Sequence, residues 1–179
     1  MSGQPRKIGK IAENMPATVA AQDWEFVAAT TITNTQYLTF AFAAGYSYVV
    51  EINGGIPVDD AVYLRCQFSQ SASYLVGATD YVDANDGATT SLLIAGPSGN
   101  QADEGLTALI HFIQPNVAGT IKRVLTLGRH GLAANTEGGT NFGGRLDLNT
   151  NACDEARLYW ATGNWQAVGF AYLFRRILS

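Results

Sequence analysis

Charged residues are scarce in this chain. Aspartate, glutamate, lysine and arginine together make up 15% of its 179 residues, against about a quarter in most soluble domains. A surface with so little charge is typical either of a protein that packs against partners or of one covered by Asn, Thr, Ser and Gly. The formal net charge of −4 argues against a nucleic-acid-binding protein, since such proteins carry basic patches.

Long hydrophobic runs and cysteines are also rare. No apolar stretch approaches the ~20 residues that a membrane-spanning helix needs, and the polar, charged N-terminus lacks the apolar core of a signal peptide. We therefore expect that the protein does not insert into a membrane. We also expect it to be synthesised and assembled in the cytoplasm of the producing cell. The two cysteines, Cys66 and Cys153, lie far apart in the chain. Cys66 is interpreted as a small buried hydrophobe, and the sequence leaves the redox state of both open.

Alternation of apolar and polar residues is the dominant pattern, and no long helical period accompanies it. In the central stretch, residues 51–81, a Gly- and Pro-rich turn precedes a strand whose inward positions are Val62, Leu64, Cys66 and Phe68. Residues 105–113 are apolar at nearly every position, which predicts a central strand. The first and last strands carry aromatics and are expected to pair. About ten short strands predict an all-β protein, and a jelly-roll β-sandwich fits that number best.

Several local features follow from the same pattern. Residues 96–100 are expected to form a turn that closes a short strand, and Gly138 and Gly139 a second turn. Lys122 is predicted to point outward from the strand over residues 120–127.

Residues 1–22 differ from the rest and are interpreted as an N-terminal docking arm, ahead of a β-sandwich domain at residues 23–179. The arm combines three basic residues with a short amphipathic turn. We expect it to become ordered on a partner; the alternative is a tail without a role. The predicted partner-docking residues are Arg6, Lys7, Ile8, Lys10 and Ile11.

Catalytic patterns are missing from the sequence. His111 lies in an apolar strand and is interpreted as a core or interface group, whereas His130 follows Gly128 and is expected in an exposed turn. Ser98 lacks the complete nucleophile-elbow pattern, and adjacent acidic residues on a strand point to opposite faces, which does not suit a glycosidase pair. No phosphate loop or zinc spacing is present. We therefore expect no enzymatic activity and no cofactor.

Two clusters suggest ligand contacts. Asp80, Asp83 and Asp86 stand in an oxygen-rich loop of the kind that can bind calcium, but their spacing is not that of an EF-hand and an ordinary Asx-rich turn is the favoured interpretation. Aromatic residues that flank turns form the second cluster. They either cover the core or stack on sugar rings, with Asn, Asp and Thr nearby for the sugar hydroxyls. These candidate glycan contacts are Tyr74, Tyr81, Tyr159, Trp160 and Trp165.

The order of these segments resembles that of a group of virion proteins from tailed bacteriophages or phage-like particles. The resemblance rests on a first strand that begins at Trp24, the strand over residues 46–52, the Pro57 turn before the strand at Val62, and the ending over residues 157–165. It spans residues 24–178. The segments 138–144 and 149–153 depart from the usual form by local elaboration.

In that family a small β-sandwich domain often stands at the end of a fibre or spike. The resemblance implies a structural virion protein that is anchored by its arm and displayed on the particle as a head decoration, a spike or a tail-tip fibre subunit. Capsid or tail proteins would be its partners, the oligomer would be a homotrimer, and the exposed domain would contact a host-surface glycan. The alternative is a lectin-like, carbohydrate-binding receptor-recognition module without a structural role. A polysaccharide depolymerase is disfavoured, because no acid pair or nucleophile stands out.

Overall fold

The computed structural model describes residues 24–83, 87–133, 136–146 and 150–178. The predicted docking arm, with Arg6, Lys7, Ile8, Lys10 and Ile11, lies outside these residues. Strands, turns and loops account for the described part of the chain, and no helix occurs in it. The predicted all-β class is therefore confirmed.

Thirteen strands occur in the described residues, against the expected number of about ten. Three of them, β5 to β7, are short strands between β4 and β8. In chain order the strands are β1 (Glu25–Thr31), β2 (Leu38–Ala41), β3 (Tyr46–Gly55), β4 (Val62–Gln70), β5 (Ser73–Tyr74), β6 (Tyr81–Asp83), β7 (Gly87–Thr89), β8 (Leu92–Ser98), β9 (Leu106–Ile113), β10 (Arg123–Ala133), β11 (Thr136–Leu146), β12 (Glu155–Trp160) and β13 (Phe170–Ile177).

The strands form two antiparallel sheets. The larger has eight strands in the order β1-β13-β3-β9-β10-β11-β6-β7, and the smaller has five, in the order β2-β12-β4-β5 with β8 also paired to β4. The predicted contact between the first and last strands is confirmed, since Phe26 on β1 lies opposite Phe174 on β13. β1 forms one edge of the larger sheet.

Strands from the two halves of the chain pair in a nested order. β1 pairs with β13, β2 with β12, β3 with β9, and β4 with β8. The hairpin of β10 and β11 then extends the larger sheet beyond β9. Strands that are distant in sequence thus bring the two ends of the chain together.

One hydrophobic core lies between the two sheets. The four predicted inward positions of β4 are all buried, as the period-two alternation requires when one sheet face meets the core. Aromatic rings join the sheets: the ring centroid of Phe112 lies 5.8 Å from that of Phe68 and 5.2 Å from that of Phe42. Large buried rings of this kind dominate the energetics of a core.

The exposed turn predicted for His130 is wrong. His130 lies on β10 with only 5% of its surface exposed, and its Nδ1 is 2.8 Å from the hydroxyl of Thr140. A Cβ atom on Gly96 or Gly138 would come within 2.6 or 2.5 Å of the imidazole ring, so these two glycines leave the space that the ring fills. Burial lowers the pKa of His130.

The two turns predicted from glycine are also wrong. β8 continues through Gly96 and Pro97 to Ser98, and β11 includes both Gly138 and Gly139. Proline is tolerated in β8 because this strand pairs with β4 alone, which leaves its other edge without a ladder to interrupt.

The outward position predicted for Lys122 is wrong as well. Its side chain is fully buried, and Nζ donates to the carbonyl oxygens of Val117 and Thr120, each at 2.5 Å, and of Thr150 at 3.3 Å. These carbonyls compensate in part for the loss of water around the ammonium group. Burial nevertheless lowers the pKa of Lys122.

Both cysteines are free and buried, which confirms the interpretation of Cys66 as a buried residue. Burial raises the pKa of the Cys66 thiol and raises that of Cys153 to about 11. Both therefore remain unreactive thiols at neutral pH.

Candidate binding surfaces

The eight-stranded sheet carries apolar side chains on the face that points away from the core. Two neighbouring rows of side chains cross its strands in register. We call this surface the apolar face; it consists of these two rows, with Trp24 and Phe170 at its border. The first row contains Tyr172, Glu51, Leu109 and Leu127, and the second contains Phe26, Phe174, Val49, His111 and Leu125.

Large side chains of the apolar face are strongly exposed. The exposed fraction is 50% for Leu109, 51% for Leu125, 62% for Leu127 and 55% for Phe26. Contiguous apolar patches of more than a few hundred Å² are rare on monomeric proteins and mark interaction sites. β9, predicted as a central strand, is indeed interior in its sheet, yet Leu109 on its outer side is half exposed.

Trp24 begins the described chain at one corner of the apolar face. Its ring packs edge-on against His111, with ring centroids 5.4 Å apart, and the guanidinium of Arg176 lies 5.0 Å from its centroid. Nε2 of His111 is buried and has no hydrogen-bond partner among the described residues. Burial, and to a lesser extent the charge of Arg176, lowers the pKa of His111. His111 therefore belongs to this outer surface and not to the core.

The outer face of the five-stranded sheet is polar and aromatic instead. The guanidinium carbon of Arg157 lies 4.3 Å from the ring centroid of Tyr37 and 3.8 Å from that of Tyr74. Nε and Nη2 of Arg157 both donate to Oε1 of Gln67, at 3.0 and 2.7 Å. Tyr159 packs edge-on against Tyr37, with centroids 5.8 Å apart. We call these five residues the Tyr–Arg cluster.

Hydrogen bonds at the border of the Tyr–Arg cluster hold its rings in place. The hydroxyl of Tyr74 donates to the carboxylate of Glu155. Burial first, and then this hydrogen bond, raises the pKa of Tyr74 to about 12. Gln67 donates through Nε2 to the carbonyl of Thr90 at 3.0 Å. Tyr74 and Gln67, which both contact Arg157, are thus held by partners outside the cluster.

Three of the five predicted glycan contacts are in the core, so their assignment is wrong. Tyr81, Trp160 and Trp165 are each at most 1% exposed. The hydroxyl of Tyr81 accepts from the backbone N–H of Phe68 at 2.8 Å and donates to the carbonyl of Leu75 at 3.1 Å. The indole rings of Trp160 and Trp165 pack together with centroids 5.0 Å apart. No sugar can reach them.

The other two predicted contacts, Tyr74 and Tyr159, come together in the Tyr–Arg cluster. Sequence reasoning missed Tyr37 and also Tyr63, which is 43% exposed on the same outer face. The signal that would have found them is strand alternation. Tyr63 precedes buried Leu64, and Tyr37 precedes buried Leu38, so both tyrosines stand at outward positions.

The predicted calcium residues have backbone partners. Asp83 accepts from the N–H of Leu93 at 2.6 Å, and Asp80 accepts from the N–H of Gly77 at 2.5 Å; Asp86 lies outside the described residues. Over the part of the chain that the structure describes, no group of three or more His, Cys, Asp or Glu side chains is arranged to hold a metal ion. Asp80 and Asp83 thus act as turn and loop acceptors.

Comparisons with known proteins give no relative for this chain. No protein-family model, curated protein or solved structure matches it. In the described residues, no helix has the length and apolar character needed to cross a bilayer.

Proposed function

We propose that this chain is a structural virion protein of a tailed phage or phage-like particle, built on a jelly roll. The nested pairing of β1 with β13, β2 with β12, β3 with β9 and β4 with β8 supports this. A long two-stranded ribbon that rolls into two sheets produces such an order. Jelly rolls are a common architecture of viral capsid domains and of lectins.

The single observation that carries the structural role is the apolar face. An enzyme or a free lectin has no need of a wide apolar sheet surface, whereas a subunit that packs against other subunits does. The scarcity of charged residues in the whole chain agrees with a subunit that is bound to other proteins. In this account the protein is non-enzymatic and resides in the virion, assembled with capsid or tail proteins.

The described chain begins at Trp24, which packs at the corner of the apolar face. We propose that Arg6, Lys7, Ile8, Lys10 and Ile11 anchor the subunit to a capsid or tail protein. The outer face of the five-stranded sheet then points away from the anchored side. In the proposed arrangement the Tyr–Arg cluster is the surface available to a host.

Incorporation into particles tests the proposal. Full-length protein, a form that lacks residues 1–22 and the point variant Ala41→Trp are each supplied to assembling particles, which are then purified and washed. We expect the full-length protein and Ala41→Trp, which alters only the exposed outer side of β2, to be retained and the truncated form to be lost. Equal retention of the truncated form would reject the anchoring arm. Absence of the full-length protein would reject the virion role.

A second function, carbohydrate binding, is favoured by the Tyr–Arg cluster. Its rings, together with exposed Tyr63, form a pre-ordered surface of the kind that stacks on sugars. A glycan array with the purified protein tests this, with Tyr63→Ala and Tyr159→Ala as site variants and Phe170→Ala, on the opposite outer face, as the control. Glycan binding that both site variants lose and the control keeps would establish the function. Absence of binding, or its loss in the control alone, would exclude the cluster.

A further inference from the structure

We propose that a second copy of this chain covers the apolar face, in a pair related by a two-fold axis that runs along β9. This inference rests on the proposed function in that it names the partner of the same assembly surface. Shape, charge and area each point to the same arrangement.

Shape is the most specific of these arguments. On one side of β9 the face carries large side chains, and we call this the high side. On the other it carries small ones, and we call this the low side. β13, two strands to one side, presents Phe170, Tyr172 and Phe174. β11, two strands to the other side, presents Gly139, Asn141 and Gly143 in the same three rows.

A two-fold axis along β9 exchanges the high and low sides. It places β13 of each copy over β11 of the other, so that the three aromatic rings meet two glycines and an asparagine. The space above Gly139 is open, since a Cβ atom there would meet no described atom within 4 Å. The space above Gly143 is narrower, because a Cβ atom there would lie 3.2 Å from Cδ2 of Leu125. The fit of ring over glycine therefore rests on Phe170 and Gly139, and in an isologous contact this pairing occurs twice.

Charge follows the same symmetry. Glu51 is a half-buried carboxylate of the apolar face, and none of the ion pairs among the described residues involves it. Burying it would be costly without a cation. The axis along β9 lays β3, with Glu51, over β10 of the partner copy, where the long side chain of Arg129 is one row away. Arg129 forms an ion pair with Glu137 in its own subunit, but both side chains are largely exposed, so the guanidinium can also meet Glu51 of the other copy. Each copy thus supplies the cation that the other needs.

The outer side of the sheet is large enough for a stable interface when the polar rows that flank the apolar face are included. Six strands at a spacing of about 4.8 Å and about eight residues at about 3.4 Å each cover roughly 800 Å², of which the two rows of the apolar face make up about half. A standard protein–protein interface buries about 800 Å² on each partner. The arm is a poorer occupant, because residues 1–23 contain no aromatic side chain to fill the space above Gly139.

Sedimentation equilibrium of the full-length protein tests the pair. We expect a dimer, and we expect Gly139→Trp to raise its dissociation constant at least tenfold, because the new indole occupies the space of the partner's Phe170. A Cβ atom at position 139 meets no described atom within 4 Å, so we expect the single subunit to accommodate the new side chain. Ala41→Trp, which adds the same side chain to the other sheet, serves as the matched control and should leave the dimer intact.

A charge exchange adds an independent readout. Glu51→Arg should weaken the dimer, and the double variant Glu51→Arg with Arg129→Glu should restore most of the association. A monomer at the highest soluble concentration, a trimer as the family resemblance implies, or a dimer unaffected by Gly139→Trp would each overturn the inference. A monomer that dimerises only after removal of residues 1–23 would identify the arm as the occupant, and would overturn it too.

The inference and the proposed function fail separately. A two-fold dimer that is absent from particles would leave the interface standing and remove the virion role. A protein that is retained in particles and is monomeric or trimeric in solution would support the virion role and reject the two-fold interface.

Discussion

Leu109 on β9 lies directly opposite Leu127 on β10, and both are at least half exposed. The residues next to them in sequence, Ala108, Ile110 and Thr126, point into the core and are buried. β9 is therefore apolar on both sides, and β10 adds a leucine to the outer side. The inner side packs in the core of the subunit, and the outer side is exposed and available for contact with another molecule.

The two sides of β9 should respond differently to truncation. Ile110→Ala removes a fully buried side chain and should lower the free energy of unfolding by about 2–5 kcal/mol. Leu109→Ala, one residue earlier, should lower it by less than about 1 kcal/mol at protein concentrations low enough to keep the chain monomeric. Urea denaturation measures both. Equal losses would mean that Leu109 is part of the subunit's own core.

The glycines beside His130 offer a second test. Gly138→Ala places a methyl group 2.5 Å from Nε2 of His130 and should cost about 1–3 kcal/mol of stability through overpacking. Gly139→Ala is the control, since the same methyl group there meets nothing within 4 Å. Denaturation curves of the two variants should differ clearly. A neutral Gly138→Ala variant would show that the ring does not occupy this space.

The stacking of Arg157 should make it intolerant of lysine. Arg157→Lys keeps the charge and loses both the flat contact with the rings of Tyr37 and Tyr74 and the paired donation to Gln67. We expect a loss of about 1–2 kcal/mol in the free energy of unfolding. Arg129→Lys, in an ion pair with Glu137 whose side chains are 77% and 66% exposed, should change stability by less than about 0.5 kcal/mol. Indistinguishable variants would contradict the stacked geometry.

Acid should destabilise the fold through its two histidines. The pKa values of His111 and His130 are lowered by burial from the usual 6.5. As pH falls below about 6.5, the unfolded chain takes up protons before the folded chain does. The histidine contribution is therefore fully present above the unfolded pKa and is lost as pH falls through the folded values. Urea unfolding at about pH 7.5 and about pH 5.5 should show this loss, and His130→Gln with His111→Gln should reduce it. If the free energy of unfolding fell equally with pH in the original protein and in the variants, both histidines would have to be exposed to water.

Strand alternation explains what the sequence could predict. In β4 and β12, one face meets the core and the other meets water, so the period of two reports burial directly. The same rule places Trp160 inside, because it shares its side of β12 with buried Leu158. Its position near a turn was the weaker signal and led to the wrong assignment of Trp160.

The β10–β11 hairpin shows why other features escaped prediction. Glycine normally favours turns, yet Gly138 lies within a strand because the ring of His130, which comes from the paired strand, needs its space. Lys122 likewise is buried by carbonyls from residues distant in sequence, including Thr150. These positions depend on which strands meet, and a single sequence does not encode that locally. The apolar face could not be predicted for the same reason. A strand that is apolar at every position has the same sequence pattern whether one or both of its faces are buried in the subunit.

Quantitative mass spectrometry of density-purified particles tests the central claim most directly. The measured quantity is the number of copies of this chain relative to the main shell protein, before and after a high-salt wash. The structural role predicts a fixed copy number that survives the wash, because an assembled subunit occupies a set number of sites, whereas salt screens the charged contacts that hold an adsorbed protein. A chain that is absent from the particles, or that washes away completely, would contradict it.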